Sequence, residues 1–586
     1  MSVATEDAKV IPGGSFLISD FPSEQLLTPD HLSEDHRAFR QTAERFMQER
    51  VMTNLEKLEH KDHTLLKALL KESADIGLLG AEIPEEFGGL GADLLTIMLI
   101  TEELGRLASY SVSFGGHAGI GTAPVLYFGN QEQKAKWLPK LASAELISCY
   151  ALTENHSGSD ALAARTKATL SEDGKHYILN GSKMWITNGG IADLAMVFAK
   201  VDGQHFTCFI VETNTPGFSA SAEERKMGLH GSSTTALTLE NVKVPVENLV
   251  GEIGKGHKIA LNVLNLGRFK LGAWCIAAAK YALNDAIVYS KERTQFKKAI
   301  CEFGAIQQKL AEMVVRVWVG DAMNYRTAGM IEASLHASGS SDPSAALKAI
   351  EEYVAECSIL KVAGSEYLDF VADEAVQIYG GYGFSAEYPV ERHYRDARIN
   401  RIFEGTNEIN RLTIVGTLLK RAMTGQLALL QPPSFQADYQ GPLAEEYGIL
   451  CRAKQAALLC AGTAAKVVGA DQPDQNHQEI MMTVADIVTD IYAMDSAFAR
   501  CTKLIQERGA EKAQLQTDIT QVFFNAARGR LQGMTRQLLA NLIADPTALA
   551  GTIKQVDGLL AGVPRNTVQP LRRIAQRALE AGKYPL

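Results

Sequence analysis

Apolar residues recur at helical spacing over the first part of the chain. An irregular arm at residues 1–34, with Pro12-Gly13-Gly14 and Pro22, precedes them. Apolar positions three and four residues apart then predict amphipathic helices, at residues 35–51, 63–79 and 94–107. A short apolar stretch at residues 138–141 ends this mostly helical segment.

The pattern changes near Ile147 to short runs typical of β-strands. We predict strands at residues 147–153, 175–179, 183–187, 194–201, 206–212 and 236–239. Asn180-Gly181, between the second and third runs, is a dipeptide typical of a two-residue hairpin. The pattern therefore predicts a compact antiparallel β-domain that ends at Pro245.

Helical spacing returns after Gly256. Long helices are predicted at residues 259–291, 305–335 and 343–368, and we expect them to pack as an antiparallel bundle. Pro432-Pro433 marks a linker before an Ala-rich amphipathic region at residues 440–580, with breaks at 471–474 and Pro546. The predicted fold class is α+β, with four domains: an N-terminal α-domain with its arm at 1–145, a β-domain at 146–250, an α-bundle domain at 251–430 and an additional C-terminal α-domain at 431–586.

Composition narrows the class of protein. The 586-residue chain is too long for one core, and 46% hydrophobic with 22% charged residues is ordinary for a globular enzyme. A net charge of −10 argues against a general nucleic-acid binder. Eight cysteines without a CxxC pair fit neither a disulfide framework nor a zinc site, and they indicate a reducing compartment. The N-terminus resembles no signal or transit peptide and no long apolar run occurs, so we expect a cytoplasmic protein of bacterial type.

One carboxylate stands out as candidate chemistry. Residues 401–407 read Arg-Ile-Phe-Glu-Gly-Thr-Asn, which places Glu404 between Phe403 and a glycine. Burial in apolar surroundings raises the pKa of a carboxyl group toward neutrality and makes it a usable proton acceptor. The glycine lets another molecule approach the backbone closely. The alternative is a helix start with Thr406 as its N-cap.

Three further segments have residue types that suit a flat, phosphorylated ligand. Residues 149–160 lead from a strand into hydroxyl groups, a glycine and an Asp, which can surround a polar planar group with backbone donors and Thr153. Trp185 and Thr187 alternate on a predicted strand, so a ring and a hydroxyl share one face. Residues 293–296, Arg-Thr-Gln-Phe, offer a cation suited to phosphate. The respective alternatives are an N-capped turn, a core Trp and a solvated helix end.

These motifs occur together and in a fixed order. The chain contains Thr-Glu-x-x-x-Gly-Ser-Asp, Asn-Gly-x-Lys-x-Trp-Ile-Thr-Asn, Glu-Arg-x-x-Phe, Gln-Ile-x-Gly-Gly-x-Gly and Glu-Gly-Thr. In this combination it resembles the acyl-CoA dehydrogenase family over residues 35–420. The helical region after residue 430 resembles the very-long-chain branch, because medium- and short-chain members end soon after the Glu-Gly-Thr helix.

The resemblance implies FAD as cofactor and α,β-dehydrogenation of an acyl-CoA in fatty acid β-oxidation, with electrons passed to electron-transfer flavoprotein. Glu404 matches the catalytic base. The residues implied to contact FAD are Tyr150, Leu152, Thr153, Ser159, Trp185, Thr187, Arg293, Phe296, Gln377, Gly381 and Thr406. Those implied to contact the substrate are Ser159, Arg268, Gly405, Gly115 and Gly116. Arg293 and Phe296 would reach the FAD of a neighbouring subunit in a homodimer.

The resemblance also implies a preference for long acyl chains. A predicted helix at residues 109–127 aligns with the base of the acyl cavity in medium-chain members, where bulky polar side chains close the tunnel. Gly116 stands where a glutamate would block it. The alternative is that the adjacent glycines serve close helix packing.

Two positions depart from family patterns. Some branches place the base just before the equivalent of Arg268, where this chain has Gly267, and Asn155-His156 replaces a common Pro in the flavin loop.

Several interpretations stay open. An acyl-CoA oxidase and a flavin-binding assembly protein are alternative functions, and a DNA-associated member is disfavoured by the acidic charge. The C-terminal helices either meet a membrane surface or a partner, or pack against the main body.

Overall fold

The computed structural model describes residues 10–339, 343–429, 431–436, 438–468 and 477–586. Its helices are α1 (Glu34–Phe46), α2 (Leu55–Glu59), α3 (His63–Asp75), α4 (Leu94–Leu104), α5 (Ala108–Phe114), α6 (Ala123–Phe128), α7 (Gln131–Ala142), α8 (Gly256–Glu292), α9 (Gly304–Ala337), α10 (Pro343–Glu352), α11 (Val354–Tyr379), α12 (Pro389–Ala397), α13 (Asn407–Met423), α14 (Ala444–Val468), α15 (Gln478–Arg508), α16 (Gln514–Leu542), α17 (Pro546–Leu559) and α18 (Val568–Ala581). Its strands are β1 (Ser148–Ala151), β2 (Lys167–Leu170), β3 (His176–Thr187), β4 (Leu194–Val201), β5 (His205–Glu212), β6 (Phe218–Ala220), β7 (Thr234–Pro245), β8 (Leu249–Val250), β9 (Thr294–Gln295) and β10 (Lys298–Ala299). The predicted α–β–α–α order is confirmed.

The helix predicted at residues 109–127 is not continuous. α5 passes into a π-helical turn at Gly115–Gly121 before α6 begins. At Gly121, a Cβ would lie 2.5 Å from the Gly116 carbonyl oxygen, so the widened turn depends on a residue without a side chain there. π-helical turns are frequent at functional sites, and this one borders the cavity described below.

The central sheet is mainly antiparallel, as predicted, but two pairings are parallel. Its strand order is β6-β7-β3-β2-β4-β5-β8, and β1 pairs with β4 outside this path. Both β1 and β2 run parallel to β4. The two parallel pairings were not predicted, because local alternation of apolar residues does not reveal the direction of a distant partner strand.

The prediction of a hairpin at Asn180-Gly181 was wrong. β3 is one strand of 12 residues, with an irregularity in its pairing to β7 between Leu179 and Gly181. A Cβ at Gly181 would lie 2.5 Å from Thr166 Oγ1, so the glycine permits a close approach of another segment instead of a chain reversal.

The bundle is built on α8, α9 and α11, whose faces merge into one apolar core. The helix predicted at residues 343–368 is divided at Tyr353, where the backbone leaves helical geometry and α10 gives way to α11. The Tyr353 side chain is buried, and its hydroxyl donates to the carbonyl oxygen of Ile11 in the N-terminal arm.

The C-terminal helices share the apolar core of the bundle. In the described part of the chain, this arrangement favours the alternative in which they pack against the main body. Arg326 on α9 and Lys454 on α14 both pair with the buried Asp495 on α15, at 2.7 and 2.8 Å. The arm lies across this junction, with Phe16 packed edge-on against Tyr492. In the described part of the chain no helix is long and apolar enough to cross a membrane, and the predicted break at residues 471–474 lies outside the described residues.

Candidate active site

A cavity of about 160 Å³ lies between α4, the π-helical turn, the end of β3 and α8. Most of its wall is apolar, and the side chains that contribute include Ile97, Ile100, Leu104, Phe114, Leu271 and Trp274. Glu404 closes one part of this wall. The arrangement places the Glu404 carboxylate at the border of a space that suits a hydrocarbon chain.

Glu404 has an unusual backbone and an unpartnered carboxylate oxygen. Its φ is +57° and that of Gly405 is +78°, so two consecutive residues adopt left-handed conformations. Such strain in a non-glycine residue is typical of functional sites. The Oε2 atom is buried and has no hydrogen-bond partner. On the facing helix, a Cβ at Gly267 would lie only 2.8 Å from that oxygen.

Three buried side chains hold the backbone of the Glu404 loop. Lys361 Nζ donates to the Gly405 carbonyl oxygen at 2.7 Å, and Asn410 Nδ2 donates to the same oxygen at 2.8 Å. Arg268 Nε donates to the Glu404 carbonyl oxygen at 3.3 Å. Lys361 and Asn410 were not predicted from the sequence. Arg268, which was expected near the substrate, contacts the Glu404 backbone and does not line the cavity.

The electrostatics around Glu404 suit a base. Burial raises the pKa of the Glu404 carboxyl to about 7, although the positive charges of Arg268 and Lys361 oppose the rise. A base with a pKa near the working pH combines a large unprotonated fraction with a useful affinity for the proton.

Thr406 is the N-cap of α13. Its hydroxyl oxygen accepts from the Ile409 N–H at 3.3 Å. The helix start that was considered as the alternative for this motif is therefore present together with the buried carboxylate oxygen of Glu404. The two interpretations do not exclude each other, because the cap belongs to the helix that follows Glu404.

The flavin motifs of the sheet meet at the end of β3. Met184 N donates to the Thr153 carbonyl oxygen at 2.9 Å. Beneath this contact, Lys183 Nζ lies 2.7 Å from Glu154 Oε1, and both side chains are buried. Burial disfavours the charged carboxylate, but Lys183 and further hydrogen bonds lower the pKa of Glu154 to about 2. The ion pair therefore fixes the two motifs against each other.

Trp185 and Thr187 are the two predicted flavin residues on this strand, and neither is buried. Trp185 is 56% exposed, which is high for a tryptophan, and Thr187 lines the cavity. Ile186, between them, is buried. The Thr187 hydroxyl makes no hydrogen bond to any residue that the structure describes.

The remaining predicted residues of the 149–160 segment lie in different environments. Tyr150 and Leu152 are buried in the core between the sheet and α7–α8. Ser159 is exposed. Asn155 and His156, which replace the usual Pro, are exposed at the tip of a turn closed by reciprocal backbone hydrogen bonds between Glu154 and Ser157.

A second concave region lies at the far end of α8. It is lined by Arg293 and Gly381 together with Tyr382, and the Arg293 guanidinium lies 5.1 Å from the centre of the Tyr382 ring. Gln377 is exposed nearby on the last turn of α11, and Phe296 is 88% exposed. The structure thus brings Arg293 and Gly381 together in this region, whereas Gln377 and Phe296 do not line it.

The glycines of the π-helical turn differ in what surrounds them. A Cβ at Gly116 would lie 2.9 Å from Thr187 Cγ2, whereas a Cβ at Gly115 or Gly119 would meet nothing within 4 Å. Close packing therefore accounts for Gly116, which is the alternative that the sequence analysis considered for the adjacent glycines. Gly115 and Gly119 border open cavity space, and Gly119 was not predicted.

His117, in the same turn, is a further residue that the sequence analysis missed. It is buried, its Nδ1 accepts from the Ser148 N–H at 2.9 Å, and its Nε2 lies 3.0 Å from the Leu141 carbonyl oxygen. Burial lowers the pKa of His117 to about 4, so the neutral ring links the turn to β1 and α7.

Family models match four consecutive parts of the chain. They are described as the N-terminal, middle and C-terminal domains of acyl-CoA dehydrogenase, at residues 33–145, 149–242 and 254–419, and a further acyl-CoA dehydrogenase C-terminal domain at residues 452–547. A probable acyl-CoA dehydrogenase of Bacillus subtilis is 44% identical over 99% of this chain and 100% of that protein. The chain belongs to the acyl-CoA dehydrogenase family.

Two further relatives place this acyl-CoA dehydrogenase within its family. The mitochondrial very long-chain specific acyl-CoA dehydrogenase of Macaca fascicularis is 34% identical, over 83% of this chain and 76% of that one. The crystal structure of a Bacillus anthracis acyl-CoA dehydrogenase complexed with FAD has a TM-score of 0.94 and 44% identity, and covers 98% of this chain and 100% of that one. The additional C-terminal helical domain of this dehydrogenase is thus shared with full-length relatives.

Proposed function

We propose that this acyl-CoA dehydrogenase converts long-chain acyl-CoA to trans-2-enoyl-CoA in fatty acid β-oxidation. The observation that carries the proposal is the buried, unpartnered Oε2 of Glu404 at the wall of an apolar cavity, on a carboxyl group whose pKa is about 7. Glu404 takes the proton from the carbon next to the thioester. Gly267 leaves the space in which the carboxylate turns toward the substrate.

The enolate oxygen that develops during proton removal needs hydrogen-bond donors. The Glu404 backbone N–H donates to no group in the described part of the chain, so it is free to serve the thioester oxygen. Arg268, Lys361 and Asn410 fix the carbonyl oxygens of Glu404 and Gly405, which follow that N–H in the chain, and thereby hold the loop that carries it.

FAD is the cofactor, and the residues at the end of β3 fit it. The free Thr187 hydroxyl at the cavity offers a hydrogen bond, and the exposed Trp185 ring, two residues earlier on the same strand, offers a flat apolar surface. FAD bound there would supply the hydride acceptor for the β-carbon. Thr153, Ser159 and Thr406 are proposed to contact it, and Tyr150 and Leu152 to support its site.

The FAD site is proposed to be shared between two subunits of a homodimer. Gly267, beside the base, and Arg293 are separated by 26 residues, almost all of them within α8. At 1.5 Å per residue this is about 39 Å, which is too far for Arg293 to reach the same FAD within one chain. The exposure of Phe296, at 88%, supports a second subunit over this end of α8. Gln377 and Gly381 would bind the adenosine part there.

The proposed electron acceptor is electron-transfer flavoprotein, and the alternative is oxygen, as in an acyl-CoA oxidase.

The chain is proposed to consist of four domains, at residues 1–145, 146–250, 251–430 and 431–586. Contact of the C-terminal domain with a membrane surface stays a prediction, since the described helices α14–α18 bury their apolar faces in the shared core.

The test uses purified holoenzyme under anaerobic conditions. Acyl-CoAs from four to twenty carbons are expected to bleach the flavin, with a maximum at twelve carbons or more. Glu404→Gln should retain FAD and lose about 10²–10⁴-fold in rate, as expected for loss of a general base. Glu408→Gln, which changes an exposed carboxylate on the same segment, is the matched control. Residual activity above about 1% in Glu404→Gln would contradict the assignment.

Reoxidation of the reduced enzyme identifies the electron acceptor. Rapid reoxidation by electron-transfer flavoprotein and slow reoxidation by air are expected. The reverse order would show an oxidase.

A further inference from the structure

The apolar cavity has one charged group besides the base whose hydrogen-bonding capacity is unused. Lys270 lines the cavity, and its Nζ lies 2.5 Å from Glu82 Oε2, which also lines it. The other oxygen of Glu82 accepts from the Tyr127 hydroxyl at 2.6 Å. Lys270 and Glu82 are 15% and 16% exposed, so the pair lies in the wall and not on the outer surface.

Two neutral polar side chains of this wall are already satisfied by their own helices. Thr101 donates to the Ile97 carbonyl oxygen at 2.7 Å, and Ser111 donates to that of Leu107 at 2.8 Å. Lys270 has three N–H groups, and Glu82 is the only acceptor that the described residues provide for them. An alkyl chain that covers the two remaining N–H groups leaves them without partners, which costs free energy.

The cavity follows α8, because Gly267, Lys270, Leu271 and Trp274 lie on one face of that helix and all line it. Lys270 is three residues beyond Gly267, or about 4.5 Å along the axis. An extended chain advances about 1.2 Å per bond, so Lys270 faces a carbon about three to four bonds beyond the one at Glu404. These are C5 and C6 of the acyl chain.

We propose that Lys270, held by Glu82, forms a polar subsite that binds a hydroxyl or keto oxygen on an acyl chain at about C5 or C6. Oxygenated acyl-CoAs would then be a further substrate class. This inference rests on the proposed function, since it concerns the same cavity.

The experiment compares decanoyl-CoA with 6-hydroxydecanoyl-CoA on holoenzyme variants. In wild type the hydroxylated substrate is expected to have the higher kcat/KM, mainly through KM. In Lys270→Met that ratio should fall about tenfold, the value of one hydrogen bond to a charged group. Lys270→Arg keeps the donors and should keep the preference.

Lys280→Met is the matched control. Lys280 lies on the same helix, is 16% exposed and pairs with Asp321 at 2.8 Å, but it does not line the cavity. Its loss should leave the substrate ratio at the wild-type value. FAD content and thermal midpoint are measured for every variant.

The position of the hydroxyl group provides a test on the wild type alone. 9-Hydroxydecanoyl-CoA carries the oxygen beyond Lys270 and should show no advantage over decanoyl-CoA. Equal kcat/KM for the two hydroxylated substrates, or an unchanged ratio in folded Lys270→Met, overturns the subsite. Failure of all acyl-CoAs to reduce the wild-type flavin overturns the proposed function instead.

Discussion

Gly267 and Glu404 share one small space: a Cβ at position 267 would lie 2.8 Å from Glu404 Oε2 and 3.0 Å from its Cδ. Glycine in a helix interior costs about 1 kcal/mol relative to alanine, so its presence within α8 needs a reason. The reason is steric, because any side chain there would displace the base.

Gly267→Ala is therefore expected to lower kcat while the protein keeps FAD and gains helix stability. A methyl group moves the carboxylate away from its position, and misplacement of a reacting group by about 1 Å can cost about 10²-fold in rate. Single-turnover flavin reduction measures the effect. Gly416→Ala, in α13 where nothing lies within 4 Å, is the control for helix propensity. Wild-type rates in Gly267→Ala would contradict the steric explanation.

The pH dependence of kcat/KM should report the ionisation of Glu404. The base acts unprotonated and its pKa is about 7, so kcat/KM is expected to rise with pH through that value. Lys361 is one of the two cations that lower this pKa, and Lys361→Met should move the rising limb to higher pH. Lys361→Arg keeps the charge and should leave the limb in place. A shift in both variants would indicate altered loop geometry instead of lost charge.

Mixed dimers test the shared site. Glu404→Gln and Arg293→Ala should each impair both sites of their own homodimers. In a heterodimer of the two variants, one site collects both defects and the other is intact, so about half of the wild-type activity should return. Co-purification with two affinity tags provides the heterodimer. No recovery would place both residues in the site of one chain.

His117 should make the stability of the N-terminal region pH-dependent. Its pKa is about 4 in the folded chain and 6.5 in an unfolded one. The folded state is therefore favoured fully above pH 6.5 and loses this advantage as pH falls toward 4. The difference corresponds to about 3 kcal/mol. Thermal unfolding from pH 7 to 5 should show a smaller loss for His117→Gln than for wild type, with the exposed His156→Gln as control.

The sequence motifs were sufficient to predict the family and the order of domains, because these depend on local residue types in a specific combination. The assignment of Glu404 as the base stays a prediction. The residues that hold the Glu404 loop were not predictable in this way. Lys361 reaches Gly405 only because α11 packs against α13, and no pattern near either residue indicates the contact. Similarly, the Asn-Gly pair at 180–181 has the local composition of a hairpin, but it lies within β3, where Thr166 from the segment before β2 approaches Gly181 closely.

The preference of the enzyme for acyl chain length should depend on Gly119 and not on Gly116. Space around Gly119 is open, so Gly119→Leu places a side chain in the cavity and should reduce kcat/KM for a sixteen-carbon substrate about tenfold more than for a four-carbon one. Gly116→Ala instead presses on Thr187, 2.9 Å from the new Cβ, and should impair all chain lengths alike through the flavin side of the site. Turnover of both variants across the acyl series separates the two effects. Equal losses in Gly119→Leu would mean that the long-chain path does not pass the π-helical turn, and the proposed preference would then need another structural basis.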